Sequence, residues 1–352
     1  MKASTPILRA YSPALLFCLF LISSCTTSTR IEVLQPAQMK LPEHIKTMAT
    51  IDRSKPSSGF TTALEGLFTG EGIGQDRRGR EQALTGLNSA LSQTPRLELK
   101  PTYIELEGSR GGINMAPPLP WSEILAICES YGTDAVLAIE SYDSDVSVRT
   151  NRYEEKYKDK DGKERLRYGW NADANANVKI GWRLYDPKNQ VILDEHTTFA
   201  SGSFSGDGSS ERSALNDLPD MAYVVFDMSR DAGHQYGMRV APVWVSIQRA
   251  YFTKGKKPYK ADMQTAARYT QSGQWALAAE IWQQLVVSAD RKTAGRAAYN
   301  LAVASEREDQ LQRALEWADQ AFLEFGNNNA RTYSQVLRQR IAEAQQIEYQ
   351  MN

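Results

Sequence analysis

The sequence predicts an α+β protein: a mixed α/β, sandwich-like module over the N-terminal two thirds, then an all-α array of helical hairpins. Three observations predict it. Segments of period 2 and period 3.6 alternate from residue 31 to about 247. A Lys/Gly-rich stretch at 253–259 (TKGKKPY) then interrupts the pattern. Beyond it the chain is rich in Ala, Gln and Glu with period 3.6 throughout. At 352 residues two domains are expected, placed at 25–247 and 248–352.

Each element has its own justification. Residues 45–51 read as a strand, and 76–93 as a helix with Ala83, Leu84, Leu87, Ala90 and Leu91 on one face. Pro95 ends that helix, and 97–106 returns as a strand. The Gly/Pro-rich break 111–120 leads into a helix over 122–131, with Ser122 as its N-cap and Gly132 as its stop. Residues 134–142 (DAVLAIESY) are nearly continuously apolar at their start, as a central strand should be. In 177–185, Val178, Ile180, Trp182 and Leu184 alternate with Lys179, Gly181 and Arg183, which predicts one core face and one wet face. Asp186-Pro187-Lys188-Asn189 is turn chemistry, so 191–199 should return antiparallel before a loop at 201–210. A helix over 219–238 carries Met221, Val224, Val225, Met228, Ala232 and Tyr236 at helical spacing. The predicted order is β-α-β-α-β-β-β-α.

The segment 146–171 is unusually charged and reads as a β-hairpin insertion turning at Asp161-Gly162, with Tyr153, Tyr157, Tyr168 and Trp170 along one face. It is too polar to form the outward apolar band of a membrane pore. Asp159-Lys160-Asp161-Gly162 looks like part of a calcium loop, but Tyr157 and Tyr168 stand where acidic ligands are needed.

The N-terminus carries a targeting signal over 1–24. Lys2 and Arg9 supply a positive start, 14–22 (ALLFCLFLI) an apolar run too short to span a bilayer, and Ser23-Ser24 the small residues beside a cut. Ile22-Ser23-Ser24-Cys25 resembles the bacterial lipobox, which implies acylation at Cys25 as the new N-terminus. Thr26 is not the Asp that such lipoproteins use for inner-membrane retention, so the resemblance implies an outer-membrane lipid anchor with the body facing the periplasm, surface exposure remaining open. Beyond the cut, 39 basic residues meet 42 acidic ones, a formal charge of −3 that offers no nucleic-acid surface. With Cys18 removed and Cys25 acylated, Cys128 has no disulfide partner and sits on the apolar side of its helix, as a small buried hydrophobe.

A self-match at an offset of 36 residues pairs Ala266 with Ala302, Trp275 with Leu311 and Ala278 with Ala314. With Tyr269, Gly273 and Trp282, these residues resemble the tetratricopeptide repeat, in copies at about 259–292 and 295–328 followed by a capping helix at 331–349. Asp309 in place of the turn glycine and Leu285 in place of an alanine depart from the pattern. The resemblance implies a concave protein-binding groove displaying Lys260, Arg296, Tyr299, Asn300 and Arg307, with Asn300 where some members grip a peptide carboxylate. Two repeats offer little groove, so a bracing role is an equal alternative. The junction Tyr131-Gly132-Thr133-Asp134 and the hairpin at Tyr185-Asp186-Pro187 resemble the α/β module of periplasmic lipoproteins such as the curli-secretion lipoprotein. The chain as a whole resembles a Bacteroidetes lipoprotein family of unknown function with C-terminal tetratricopeptide-like repeats, which brings no activity with it.

Reactive groups are sparse. His44, His196 and His234 are the only histidines, with no zinc-binding spacing and no cofactor motif. Gly202-Ser203-Phe204-Ser205-Gly206 has Phe at its centre and fails the nucleophile-elbow pattern. Gly70-Glu71-Gly72-Ile73-Gly74 lacks dinucleotide spacing. Asp194 and His196 share a strand face and form the one acid/base-like pair. The sequence therefore favours a noncatalytic envelope interaction or scaffold protein with no metal or cofactor. The alternative is an envelope glycan-binding or hydrolytic module using the aromatic hairpin or the Asp194/His196 strand end.

Overall fold

The computed structural model describes residues 26–56, 75–94, 96–109 and 114–351. The predicted signal peptide, the acylation site Cys25 and the glycine-rich stretch 70–74 lie outside them. The protein is α+β, and its described residues divide into a helical unit (26–31 with Gln248–Leu337) and a sheet unit (Glu32–Ile247 with 338–351). Relative to the sequence-based boundaries, the ends of the chain exchange places: 26–31 belong with the helices and 338–351 with the sheet.

The sheet unit is built on strands β2 (Thr47–Pro56), β3 (Glu98–Ser109), β4 (Ala135–Lys158), β5 (Glu164–Asp186) and β6 (Val191–Gly208), in the order β3-β2-β4-β5-β6. β2 runs parallel to β3 and β4, which requires crossover helices, and β4, β5 and β6 are antiparallel neighbours. The helices α1 (Gln75–Leu91) and α4 (Met221–Val240) cover one face, while α2 (Trp121–Tyr131) covers the other. A short helix α3 (Glu211–Asp217) follows β6. Strands β1 (Thr26–Gln35) and β7 (Val243–Phe252) form a separate two-stranded sheet that the sequence reading did not anticipate.

Several expectations change. The face of β5 expected to be wet is buried: Gly181 and Arg183 lie under the α2 side, so this strand is covered on both faces. The loop expected at 201–210 is mostly strand, because Ser201–Gly208 pair with the small residues Ala172, Ala174 and Ala176 and their neighbours on β5. Gly206 and Gly208 are needed there, since a Cβ at either would lie 2.5 Å or less from the α3 backbone. The α2 helix starts at Trp121 with Pro120 in the cap position and no side-chain cap, so Ser122 is inside it; Gly132 ends it in the left-handed region, φ 59°. Cys128 is buried, as expected.

Helices α1 and α4 cross through small residues. A Cβ on Gly86 would stand 1.8 Å from the Arg230 carbonyl oxygen, and one on Gly233 would stand 1.8 Å from that of Ala83. This lets the helices seat Leu87, Leu91, Val225 and Tyr236 together against Met48, Leu137, Val178, Ile180 and Trp182, where Tyr236 and Trp182 stack at 4.8 Å.

The helical unit contains α5 (Lys260–Gln271), α6 (Trp275–Ser288), α7 (Arg291–Arg307), α8 (Leu311–Leu323) and the first part of α9 (Asn328–Met351). Its two turns repeat at 36 residues. Gln274 N–H donates to the Tyr269 carbonyl (2.8 Å) and Gln310 N–H to that of Ser305 (2.9 Å), with Gly273 and Asp309 both left-handed. Asp309 thus makes the glycine's turn. Ala266, Ala278, Ala302 and Ala314 are fully buried, as close helix stacking requires. In the sheet unit, the end of α9 clasps residues 34–40: the Gln350 carboxamide accepts from Ala37 N–H (2.9 Å) and donates to its carbonyl (2.8 Å).

Gly86→Ala tests the α1–α4 crossing. Alanine favours a helix by about 1 kcal/mol over glycine, but the overlap with Arg230 should dominate and lower stability by about 1–3 kcal/mol in urea unfolding.

Candidate functional site

Three side-chain clusters combine charge, aromatic rings and burial, and each must be judged by where its donors and acceptors point. The first lies on the α2 face of the sheet. Glu140 on β4 is fully buried between Arg53 of β2 and Arg183 of β5. Arg53 Nη1 donates to both its oxygens at 2.8 Å, Arg183 Nη1 lies 3.0 Å from Oε1, and the Tyr185 hydroxyl donates to Oε1 at 2.8 Å. The same groups hold the segment before α2. Arg183 donates to the Ala116 carbonyl, Arg53 to that of Pro117, and Leu119 N–H donates to the Tyr185 hydroxyl. Glu195, at the edge of the cluster, also accepts from Arg183. Burial and then the Glu140 charge push the Tyr185 phenol up. Burial pulls the Arg183 guanidinium down, but Tyr185 and Glu140 outweigh it and leave it raised. These groups are spent on one another and on backbone carbonyls, so the cluster is a latch for 116–119.

The second cluster is the Asp194/His196 strand end. Asp194 is engaged by Arg239 of α4 in a two-bond fork, Nε and Nη2 each at 2.9 Å. His196 packs 6.4 Å from the Tyr236 ring, and its pKa is lowered by burial and then by Arg239. The partner that the sequence did not reveal is thus an arginine that fixes the carboxylate in place.

The third is the predicted groove. Asn300 on α7 is fully buried, with Oδ1 accepting from Phe252 N–H (2.7 Å) and Nδ2 donating to the Phe252 carbonyl (2.7 Å). Arg296 Nη1 donates to the Lys254 carbonyl at 2.6 Å, and Lys256 N–H donates to Thr293 Oγ1 at 3.1 Å. Tyr299 meets the Phe252 ring edge-on at 5.3 Å. Arg249 forks onto buried Glu306, 2.7 and 2.9 Å, and the Tyr333 hydroxyl donates to the same carboxylate at 2.7 Å. Burial and then Glu306 push the Tyr333 phenol well up. The helices therefore grip residues 249–256 of their own chain. Arg296, Tyr299 and Asn300 converge on that segment, whereas Lys260 is exposed at the start of α5 beside Lys257 and Gln264, and Arg307 lies over the Trp275 ring at 5.3 Å. Of the groove residues that could be read from the repeat spacing, Arg296, Tyr299 and Asn300 are already occupied. The segment they hold was missed, although its alternation, Val243 to Phe252, is a strand signal.

The charged segment 146–171 is a β-hairpin that continues β4 and β5, paired without a break from Ser141–Gly181 to Lys158–Glu164. Its tyrosines do not share a face. Cross-strand partners point the same way, so Tyr153 and Tyr157 lie with Gly169 and Arg165, while Tyr168 and Trp170 lie on the other side with Glu154 and Arg152. The Tyr153 ring fills the space over Gly169. At the tip, Asp159 accepts from the N–H groups of Asp161 and Lys163 and from Arg165, and Gly162 takes φ 75°. Arg165 first, then Lys163, holds the Asp159 carboxyl below its ordinary range. Among the described residues, no group of three His, Cys, Asp or Glu side chains is placed to bind a metal ion, and no helix is long and apolar enough to cross a membrane.

Two substitutions test these assignments. Glu140→Gln removes the carboxylate that buried Arg53 pairs with and leaves Arg183 only the half-exposed Glu195, which should cost about 3–5 kcal/mol in chemical denaturation. Asn300→Ala strands the Phe252 N–H and carbonyl, which should cost about 2–4 kcal/mol and speed tryptic cleavage at Lys254 and Lys256.

Comparisons with known proteins come from families rather than characterised relatives. A family described as Domain of unknown function (DUF8603) matches residues 45–252, and one described as Domain of unknown function (DUF6340) matches 264–340. No curated protein matches the chain. Among solved structures, the chain is similar to the PelC dodecamer from Paraburkholderia phytofirmans: 12% identity over 61% of this chain and 99% of that one, TM-score 0.24. It is also similar to a Helicobacter pylori homologue of a neuraminyllactose-binding hemagglutinin: 11% identity over 56% and 86%, TM-score 0.23. Those scores carry no argument about this protein. The family match spans more than half of the sequence, and the chain belongs to the family described as Domain of unknown function (DUF8603).

Proposed function

We propose that the protein is a noncatalytic interaction or scaffold component of a bacterial cell envelope, a lipoprotein of the Bacteroidetes type. It is held at the outer membrane by lipid on Cys25, with its body in the periplasm. The β4–β5 ribbon is the element that meets a protein partner. What supports this reading is the ribbon itself. Over residues 152–168 its strands pair with each other alone among the described residues, its tip is held by Asp159, and Tyr153, Tyr157, Leu166 and Tyr168 are exposed. Aromatic rings on both faces supply contact area at low entropic cost. The interspersed Lys, Arg and Glu keep a two-stranded ribbon from pairing with other edges. The groove on the helices serves a bracing role, because its central residues already hold 249–256.

The reading is tested by affinity capture of the full-length protein from its native envelope, beside a variant in which 152–168 is replaced by an Asn-Gly turn and beside Cys25→Ala. A stoichiometric partner is expected with the unchanged protein and lost with the shortened ribbon, and Cys25→Ala should move the protein to the soluble fraction. A partner retained without the ribbon, or membrane association retained without Cys25, overturns the corresponding half.

A further inference from the structure

A cleft on the other face of the sheet, between α1 and the edge strand β3, is used by none of the interactions described so far. It encloses about 470 Å³, within the range of ligand pockets. Its floor is Thr50, Leu99 and Pro101, and its wall is one side of α1, where Arg80, Leu84, Thr85 and Asn88 recur at helical spacing. Tyr103 stands on the rim.

Tyr103 is the unusual residue of the cleft. Its side chain is 91% exposed, and its backbone sits at φ 56°, in the left-handed region where a bulky side chain is a true outlier. The cause is a bulge: the β2–β3 register runs from Thr50–Pro101 straight to Ile51–Ile104, leaving Thr102 and Tyr103 as extra residues. Thr102 is fixed inward. Its hydroxyl donates to the Thr50 carbonyl at 2.6 Å and accepts from Ile104 N–H at 3.2 Å, and the Tyr131 hydroxyl donates to its carbonyl at 3.3 Å. With Thr102 pinned, Tyr103 is forced outward, and a strained aromatic held over a pocket is a frequent mark of a ligand site.

The lining decides what ligand fits. The charges in the cleft are paired or opposed: Arg80 Nε meets Asp52 at 2.7 Å, Arg77 meets Glu81 at 3.3 Å, and Glu105 adds a further negative charge. No surplus positive charge is left for a phosphate or carboxylate. Addition of a peptide strand to β3 is opposed by Pro101, which has no N–H, and by the bulge itself. What remains is an apolar floor, the exposed Asn88 carboxamide, the Thr85 hydroxyl, which donates to the Glu81 carbonyl and is left as an acceptor, and an exposed ring. A pyranose has this pattern in complement, with C–H faces that stack on aromatic rings and hydroxyls around its rim. We infer that the α1–β3 cleft binds a neutral oligosaccharide, with Tyr103 as the stacking platform and Asn88 as a hydroxyl or acetamido contact.

This site is separate from the ribbon contact proposed above, so either can fail without the other. The test is calorimetric titration of the full-length protein, in a detergent without a sugar headgroup, with chitotetraose and cellotetraose. Saturable binding of at least one is expected. Tyr103→Gly removes the ring where glycine suits the backbone, so it should weaken binding by about tenfold, the scale of a lost stacking contact, with an unchanged or higher melting temperature. Asn88→Ala, on an exposed helix position, should weaken it severalfold. The inference is overturned if neither tetrasaccharide saturates, if both variants bind like the unchanged protein, or if a sulfated oligosaccharide or an extended decapeptide binds in preference to the neutral probes.

Discussion

Glu140 is the constraint on which the α2 side of the sheet unit depends. It sits on the central strand β4 with an arginine from the strand on each side, so one carboxylate pairs with charges contributed by both flanking strands and ties three adjacent strands together. Desolvating these ions is costly, and further hydrogen bonds are needed to make the arrangement tolerable. Here they come from Tyr185 and from the carbonyls of Ala116 and Pro117, so the chain entering α2 is itself part of the compensation, and Arg53 Nε alone of that guanidinium's buried nitrogens is left without a partner. The apolar packing of Ile124, Ile127 and Cys128 against Ile51 and Val136 follows from that anchored entry.

The opposite face uses a different device. Between α1 and α4, glycines let the backbones approach to van der Waals contact, and the Arg230 guanidinium adds an exposed fork onto Gln82. The two faces thus differ in what they tolerate. A larger side chain at the crossing shifts whole helices, while a charge change in the latch unpairs ions without altering volume.

Much of the architecture was legible in the sequence because it rests on periodicity: the alternation around Trp182, the stripe of α4 and the 36-residue offset each encode one packing relation. The misses share a physical cause. Arg183 reads as a wet-face residue, since nothing local says that Glu140, 43 positions earlier, will neutralise it. Ser201–Gly208 reads as a loop, since its strand character comes from its pairing with β5 rather than from its own propensity. Tyr103 carries no signal at all: its position is set by where the β2–β3 register slips. Of the groove, Arg296, Tyr299 and Asn300 were visible from repeat spacing, but their occupant was not, because a repeat pattern describes a surface and is silent about which segment fills it.

The Asn300 contact has one more implication. A carboxamide carries one acceptor and one donor face, the same pair of groups that a neighbouring strand would offer, and Asn300 presents both to a single residue. At that point the helices behave as a one-residue substitute for a β-ladder. They read main chain and side chain together: Asn300 holds the peptide groups of position 252, while the buried Phe252 ring packs against Tyr299. Proline is excluded there because it has no N–H to donate, and a smaller side chain would keep the peptide contact but empty the space beside Tyr299.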